Sequence, residues 1–335
     1  MNLLVTGGAG YIGSHTCVRL LETGHDVTVI DNFSNSSPIA LQRVQELVGR
    51  PLRFIEGDIR DPGLLRKAFE QHFDAVIHFA ALKAVGESCD YPLQYFDNNI
   101  GGTIALLRAM EMAGIHRLVF SSSATVYGQP ECVPVLEDAP LRVTNPYGRT
   151  KMVMEELIQD WCTYRQQVSA VLLRYFNPVG AHHSGQIGED PRGEPNNLMP
   201  YVAQVAVGRR KHLRVFGGDY PTPDGTGVRD YLHVVDLADA HLKAVDYSLS
   251  HAGCEAFNVG TGRGYSVLEV VRAFEAAAGV RIPIEISDRR SGDVAELTAD
   301  PTRSHVKLGW CSRYGIDEMC ADTWRWQKQN PLGYQ

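Results

Sequence analysis

Tyr147 and Lys151 stand four residues apart directly behind Pro146, a residue suited to the first helical position, so their side chains are expected to share one face. A free tyrosine titrates at about 10 and is a poor base. An ammonium beside it, with a nicotinamide cation close by, would favour the phenolate. Tyr147 could then act as general base near neutral pH, taking a proton from an alcohol as hydride leaves the same carbon. Ser123, at the end of the run Leu118-Val119-Phe120-Ser121-Ser122-Ser123, would hold that hydroxyl. The plainer alternative is that Tyr147 packs and Lys151 is solvated. Only their surroundings separate the two readings.

Hydride chemistry needs a dinucleotide, and the first thirty residues offer a place for one. The apolar run Leu3-Leu4-Val5 gives way to Gly7-Gly8-Ala9-Gly10-Tyr11-Ile12-Gly13. Gly7, Gly10 and Gly13 allow a sharp turn off a strand and close approach to a pyrophosphate, while a helix from Tyr11 points free amides at the anion. A second strand, Val27-Thr28-Val29-Ile30, ends on Asp31, eighteen residues past Gly13 and placed to accept hydrogen bonds from ribose hydroxyls. The acid repels a 2′-phosphate and no basic residue follows before Arg43, so NAD is expected rather than NADP. An ordinary glycine-rich hairpin is the bland alternative.

Further apolar runs alternate with helical patterns, as in a parallel, doubly wound sheet. Arg53-Phe54-Ile55 leads to Asp58 and Ile59, Ala75 to Phe79 leads to Ala80, and Ala170 to Leu173 leads to Phe176 and Asn177. Carboxyl ends of such strands form the ligand crevice, so Asp58, Phe79 to Lys83, Ser123 and Asn177 should converge. A long helix is expected over 93–113, with an apolar face at Ile100, Ile104, Leu107 and Met110. The expected architecture is an α/β fold: a Rossmann-type doubly wound parallel sheet with a smaller C-terminal α/β substrate-binding lobe. Residues 1–177 would form the NAD-binding domain, with a segment at about 230–262 returning to it, and 178–335 mainly the second lobe.

The 335 residues are 44% hydrophobic, enough for a full core. A formal net charge of −7 speaks against a nucleic-acid partner, and Arg209-Arg210-Lys211 reads as a solvated helix end. The chain opens directly on a strand and nowhere runs eighteen apolar residues together, so no export or membrane segment is expected. Seven scattered cysteines without a C-x-x-C pair argue for reduced thiols in the cytoplasm, not a disulfide frame or a metal site.

Seven stretches together resemble the UDP-glucose 4-epimerase (UDP-galactose 4-epimerase) family of extended short-chain dehydrogenases/reductases. They are T-G-G-A-G-Y-I-G-S-H from Thr6, H-F-A-A-L-K-A-V-G-E-S from His78, S-S-S-A-T-V-Y-G from Ser121, Y-G-R-T-K from Tyr147, L-R-Y-F-N-P-V-G-A-H from Leu173, N-N-L-M-P-Y from Asn196, and G-T-G-V-R-D-Y-L-H-V-V-D-L-A-D from Gly225. The resemblance implies a redox cycle without net redox. Tyr147, with Lys151 and Ser123, would deprotonate the 4′-hydroxyl of a UDP-hexose while hydride passes to tightly held NAD, and the 4′-keto sugar would turn and be reduced on its other face.

By the same resemblance NAD would be held by Tyr11, Ile12, Asp31, Asn32, Phe33, Ser34, Asn35, Ser36, Asp58, Ile59, Phe79, Ala80, Ala81, Leu82, Lys83, Asn98, Ser123, Tyr147, Lys151 and Phe176. The nucleotide sugar would meet Lys83, Ser123, Tyr147, Asn177, Asn197, Leu198, Phe216, Arg229, Arg290 and Asp293. Arg229 and Arg290 suit a diphosphate and Asp293 a ribose; for Asn197 and Asp293 loop capping is an alternative. Related dehydratases and decarboxylases carry an acid just after the catalytic hydroxyl residue, where this chain has Ala124 and Thr125. Other nucleotide-sugar reductases, or an NAD-binding regulator without catalysis, are the remaining alternatives. Leu297 falls where strict family members carry a tyrosine closing the hexose pocket, so the resemblance implies N-acetylated UDP-hexoses as a second substrate; a core role for Leu297 is the alternative. The resemblance also implies a homodimer through a four-helix bundle, to which Ile100, Ile104, Leu107, Val153, Leu157 and Trp161 could contribute, although packing on the sheet would equally explain them.

Overall fold

The computed structural model of the chain describes residues 1–290 and 292–335. Strands β1 (Asn2–Thr6), β2 (Asp26–Asp31), β3 (Arg53–Glu56), β4 (Ala75–His78), β5 (Arg117–Ser123) and β6 (Ser169–Tyr175) belong to one parallel sheet. Next come β7 (Asn177–Val179), β8 (Leu213–Phe216), β9 (Val228–His233), β10 (Gly253–Val259), β11 (Gly264–Ser266), β12 (Ile284–Ser287) and β13 (Glu296–Leu297). The large sheet has seven strands in the order β10-β6-β5-β4-β1-β2-β3, so the winding reverses at β1. A crevice opens at that switch point, beyond the carboxyl ends of the strands.

Helices cover both faces because successive strand residues point to opposite sides. Leu3, Val5, Val27 and Val29 face a core shared with α1 (Tyr11–Glu22) and α2 (Pro38–Val48). Leu4, Ile30, Val76, Leu118 and Phe120 face the opposite core. There they meet α3 (Pro62–Ala68), whose Leu65 and Ala68 are buried. The short helices α4 (Val85–Asp90) and α5 (Pro92–Tyr95) pack against the helix that carries Tyr147. The helical segment expected over 93–113 is not uniform: one widened, π-type stretch at Phe96–Gly101 separates α5 from α6 (Gly102–Met112). In α6, Leu106, Leu107 and Met110 are buried in the second core.

Helix α7 (Pro146–Thr163) starts at Asn145, whose side chain accepts from Gly148 N at 2.8 Å, and proline follows where its missing N–H costs nothing. It lies over β5, β6 and β10. After β6 the chain leaves the large sheet. Helix α8 (Leu198–Ala206) enters a third core with Val179, Val215, Tyr231 and Phe274. Helix α9 (Val234–Ser248) then runs back onto α1, and β10 closes the large sheet beside β6. Helices α10 (Val267–Ala278) and α11 (Ile316–Gln329) complete the smaller lobe, around β9 with β7, β11 and β13 beside it and β8 paired with β12. No helix among the described residues is long and apolar enough to cross a membrane.

Candidate active site

The turn between β1 and α1 tolerates nothing larger than hydrogen at two points. Gly7 has φ +72°, and a Cβ there would lie 2.7 Å from Ala80 N; one on Gly13 would lie 2.4 Å from Gly7 O. No side chain caps α1 and no acid sits in its first turn, so the amides of Tyr11, Ile12 and Gly13 are left for an anion. The Asp31 carboxylate is fixed by Ala9 N (3.0 Å), Phe33 N (2.9 Å) and Ser36 Oγ (2.8 Å), with acceptor capacity remaining toward the crevice. A diphosphate at the free amides and a ribose at the carboxylate fit what these groups can bind.

A groove of about 320 Å³ runs along this edge. Its walls include Gly7, Gly10, Tyr11, Ile12, Gly13, Asp31, Asn32, Ser34, Asn35, Ser36, Asp58, Ile59, Phe79 to Lys83, Asn98, Tyr147 and Lys151. Three residues of the expected cofactor set stand off it. Phe33, at φ +52°, turns its ring edge-on to Phe54 (6.2 Å between centroids) and packs against the first core. Phe176 is buried with Ala124, Val126 and Leu297. Ser123 Oγ accepts from Thr125 N at 3.2 Å and Thr125 Oγ1 at 2.9 Å. Sequence reading passed over Gly188 to Arg192, Tyr334, Ser121 and Tyr175, which also line the groove. The first six of these lie in an aperiodic loop and a chain end, and no local pattern marks them.

Tyr147 and Lys151 reach the groove from one face of α7, but the ammonium is not on the phenol. Lys151 Nζ donates to Ser121 O at 2.6 Å, lies 5.0 Å from the Phe120 ring centre and stands 6.0 Å from that of Tyr147. Burial pushes the Tyr147 phenol up to about 12, with the Ser123 hydroxyl partly opposing the rise. Burial also pulls Lys151 down to about 7, against the attraction of the Glu155 carboxylate. The four-residue spacing thus sets the shared face, while Ser121 and Phe120 set where the ammonium points. Desolvation dominates both groups.

A measurable consequence concerns stability. A folded-state lysine held near 7 binds fewer protons than its unfolded counterpart, so its cost to stability grows as pH falls from about 10.5 toward 7. Lys151→Met is expected to abolish that part of the slope and to stabilise the protein more at pH 7 than at pH 10. Melting temperatures of the two proteins across this range would test it; equal slopes would count against the depressed lysine.

Of the residues expected to meet a nucleotide sugar, Lys83, Ser123 and Tyr147 lie with the large sheet and the others beyond β6; only Lys83 and Tyr147 line the groove. The Arg290 guanidinium lies 3.9 Å from the Phe216 ring centre, and Arg229 Nη2 stands 3.9 Å from Asp293 Oδ1. Arg229 pairs across the sheet with Leu297. Asn197 occupies the position before α8 without capping it; its Nδ2 donates to Glu189 Oε1 at 3.1 Å, and Lys83 Nζ reaches the same oxygen at 3.1 Å. Leu198 opens α8, and Asn177 opens β7 opposite Tyr231. Glu189 thus joins the groove to the second lobe.

The family model described as GDP-mannose 4,6 dehydratase matches residues 4–323. The UDP-glucose 4-epimerase of Bacillus subtilis is 57% identical over 336 residues, covering 100% of this chain and 99% of that protein. The crystal structure of UDP-glucose 4-epimerase from Bifidobacterium longum in complex with NAD+ and UDP superposes with a TM-score of 0.97 at 50% identity, covering 99% of this chain and 100% of that one. A UDP-glucose 4-epimerase from Stenotrophomonas maltophilia with bound NAD and formylated UDP-arabinopyranose gives 0.97 at 52% identity, with 99% of each chain covered. On end-to-end similarity of this strength, the chain belongs to the broad family that the matched model describes and, within it, to the UDP-glucose 4-epimerases.

Proposed function

We propose that the chain interconverts UDP-galactose and UDP-glucose by reversible oxidation at the hexose 4′ carbon, with Tyr147 moving the proton. The observation that carries this reading is the convergence of Tyr147, Lys151, Asp31 and the glycine turn on one groove. NAD, when bound, supplies a reversible hydride acceptor. Tyr147 Oη takes the 4′-hydroxyl proton, Ser123 orients that hydroxyl, and Lys151 adds positive charge on the same helix face. The 4′-keto sugar then presents its other face to the returning hydride, while the 4′ oxygen takes the proton back from Tyr147. Arg229 and Arg290 hold the diphosphate and Asp293 the ribose, so the nucleotide stays fixed while the hexose turns. Residues 1–177 with about 230–262 are read as the NAD-holding domain and the remainder mainly as the sugar-nucleotide lobe. Purified protein given UDP-galactose without added cofactor should form UDP-glucose; no product, with or without added NAD, would end the reading.

The matched model's dehydratase description raises a second reading, which positions 124 and 125 disfavour. Ala124 is buried with Phe176, and Thr125 spends its hydroxyl on Ser123. Neither offers the carboxyl group that elimination needs.

For substrate range we propose that N-acetylated UDP-hexoses are also accepted. Leu297 packs beside Phe176 and Ala124, at the end of the strand that carries Ser123, and is smaller there than a tyrosine. Leu297→Tyr is expected to reduce turnover of UDP-N-acetylglucosamine at least tenfold, at an overpacking cost of about 1–3 kcal/mol, while UDP-galactose still reacts. A parent protein that makes no product from UDP-N-acetylglucosamine would sink the proposal.

We further propose a homodimer in the cytoplasm. Val153, Leu157 and Trp161 form a half-exposed stripe along α7, next to half-exposed Ile100 and Ile104, while Leu107 turns into the core. Such a stripe suits a second copy of the same helices. All seven cysteines are free, in keeping with a reducing compartment. Light scattering should give twice the monomer mass of 37.0 kDa; the single mass would remove the dimer.

A further inference from the structure

The groove's outer wall is built by chain that the large sheet does not supply. Gly188 to Arg192 and Tyr334 face the loop that follows β2, across the space beside Asp31. Two arginines tie these walls together from opposite directions. Arg43, on α2 just beyond the loop, donates from Nη1 to Gln186 O at 2.8 Å and to Asn330 Oδ1 at 2.7 Å. Its guanidinium also lies 5.2 Å from the Tyr334 ring centre and 5.8 Å from that of Trp326. Arg192 reaches back from the far wall, Nη1 donating to Ser34 O at 3.1 Å and Nη2 to Ser36 O at 2.9 Å.

The chain end is hooked beneath the same strap. Tyr334 N donates to Asp190 Oδ2 at 2.9 Å, and Tyr334 Oη lies 3.2 Å from both N and O of Gly188. Gly333 takes φ +86°, and a Cβ there would fall 2.2 Å from the Asp190 carboxylate, so the hook needs glycine at that point.

We propose that Arg43 and Arg192 form a two-way clasp, with residues 330–334 as its backing, that keeps the dinucleotide resident through repeated cycles. The proposal rests on the reading that this groove holds NAD. A redox cycle that returns hydride to the same sugar aborts if the carrier exchanges midway, and a crevice at the ends of parallel strands is open on its outer side. The Arg192 bonds immobilise the loop whose Ser36 hydroxyl orients Asp31, so the acceptor of the ribose and the wall that covers it are held by one side chain.

The test follows NAD appearing in the filtrate after dilution of purified holoenzyme, for the parent, Arg43→Ala, Arg192→Ala and the double variant. Each single change is expected to speed release by about fivefold, and the double change by more than either, as fits loss of partly exposed, charge-assisted hydrogen bonds. Arg192→Lys keeps the charge but cannot span two carbonyls, and should restore only part of the retention. Activity lost on dilution should return when NAD is added, and the KM for UDP-galactose in excess NAD should barely move, which a merely structural role would not give. Removal of residues 331–335 should speed release as well, a second route if an arginine variant folds poorly. Release from the double variant within twofold of the parent overturns the clasp. A parent that carries no NAD and binds none overturns the reading of the groove instead.

Discussion

Replacement of Tyr147 by phenylalanine is expected to slow the UDP-galactose to UDP-glucose conversion by about 10³-fold, within the range set by loss of a positioned acid–base group. The change deletes one oxygen and leaves the ring, which is buried at the start of α7, so the melting temperature and NAD content should stay near those of the parent. The size of the effect follows from the surroundings. Ser123 has no ionisable group to take over the proton, and Lys151 spends its ammonium on Ser121 O. Burial, partly opposed by the Ser123 hydroxyl, holds the phenol at about 12, so catalysis near neutrality depends on cationic surroundings that lower it. The lower limb of the parent's pH profile should therefore report the phenol, and the phenylalanine variant should lose that limb. A variant that keeps a tenth or more of the parent rate would show that Tyr147 does not move the proton.

The parts of this site that were legible in the sequence are those set by local chemistry. Gly7 is dictated by its φ of +72° and Gly13 by its contact with Gly7 inside one turn, Asp31 by the tip of one strand, and the shared face of Tyr147 and Lys151 by helical geometry. The direction of the Lys151 ammonium was not legible, because Ser121 and Phe120 on β5 set it from thirty residues away. The strap from Gly188 to Arg192 follows no period of 2 or 3.6, and its partners Ser34, Ser36 and Tyr334 lie far away along the chain. Strand patterns were readable one by one. That β10 pairs with β6, far from its sequence neighbours β9 and β11, depends on the whole α9 crossover. Phe33, given to the cofactor by resemblance, takes φ +52° and packs its ring against the first core, a direction that no local pattern announced.

Glu155→Ala is expected to destabilise the fold by about 3–5 kcal/mol, the penalty for stranding one member of a buried ion pair. Glu155 lies on α7 one turn beyond Lys151, and Arg174 faces it from β6 with Nη2 at 2.6 Å from Oε2 and Nε at 3.0 Å from Oε1. The carboxylate also accepts from Ser122 Oγ, while Arg174 Nη1 continues to Tyr127 Oη at 3.1 Å and Glu137 O at 2.9 Å. Asn258 on β10 closes the network by accepting from Tyr127 Oη at 2.6 Å. One carboxylate thus fastens α7 to β5 and β6, and through Arg174 and Tyr127 to β10. Alanine leaves the buried Arg174 charge without its counter-ion, and a fall in melting temperature of roughly 4–7 °C follows for a chain of this size. Glu155→Gln keeps the volume and much of the hydrogen bonding and should cost less, but it removes the charge that holds Lys151 up. The lysine should then lose its proton below 7, so glutamine should depress neutral-pH activity by more than its smaller loss of stability suggests. A glutamine variant with parental rate and pH profile would break this link between the buried pair and the base, leaving Glu155 a purely structural fastening.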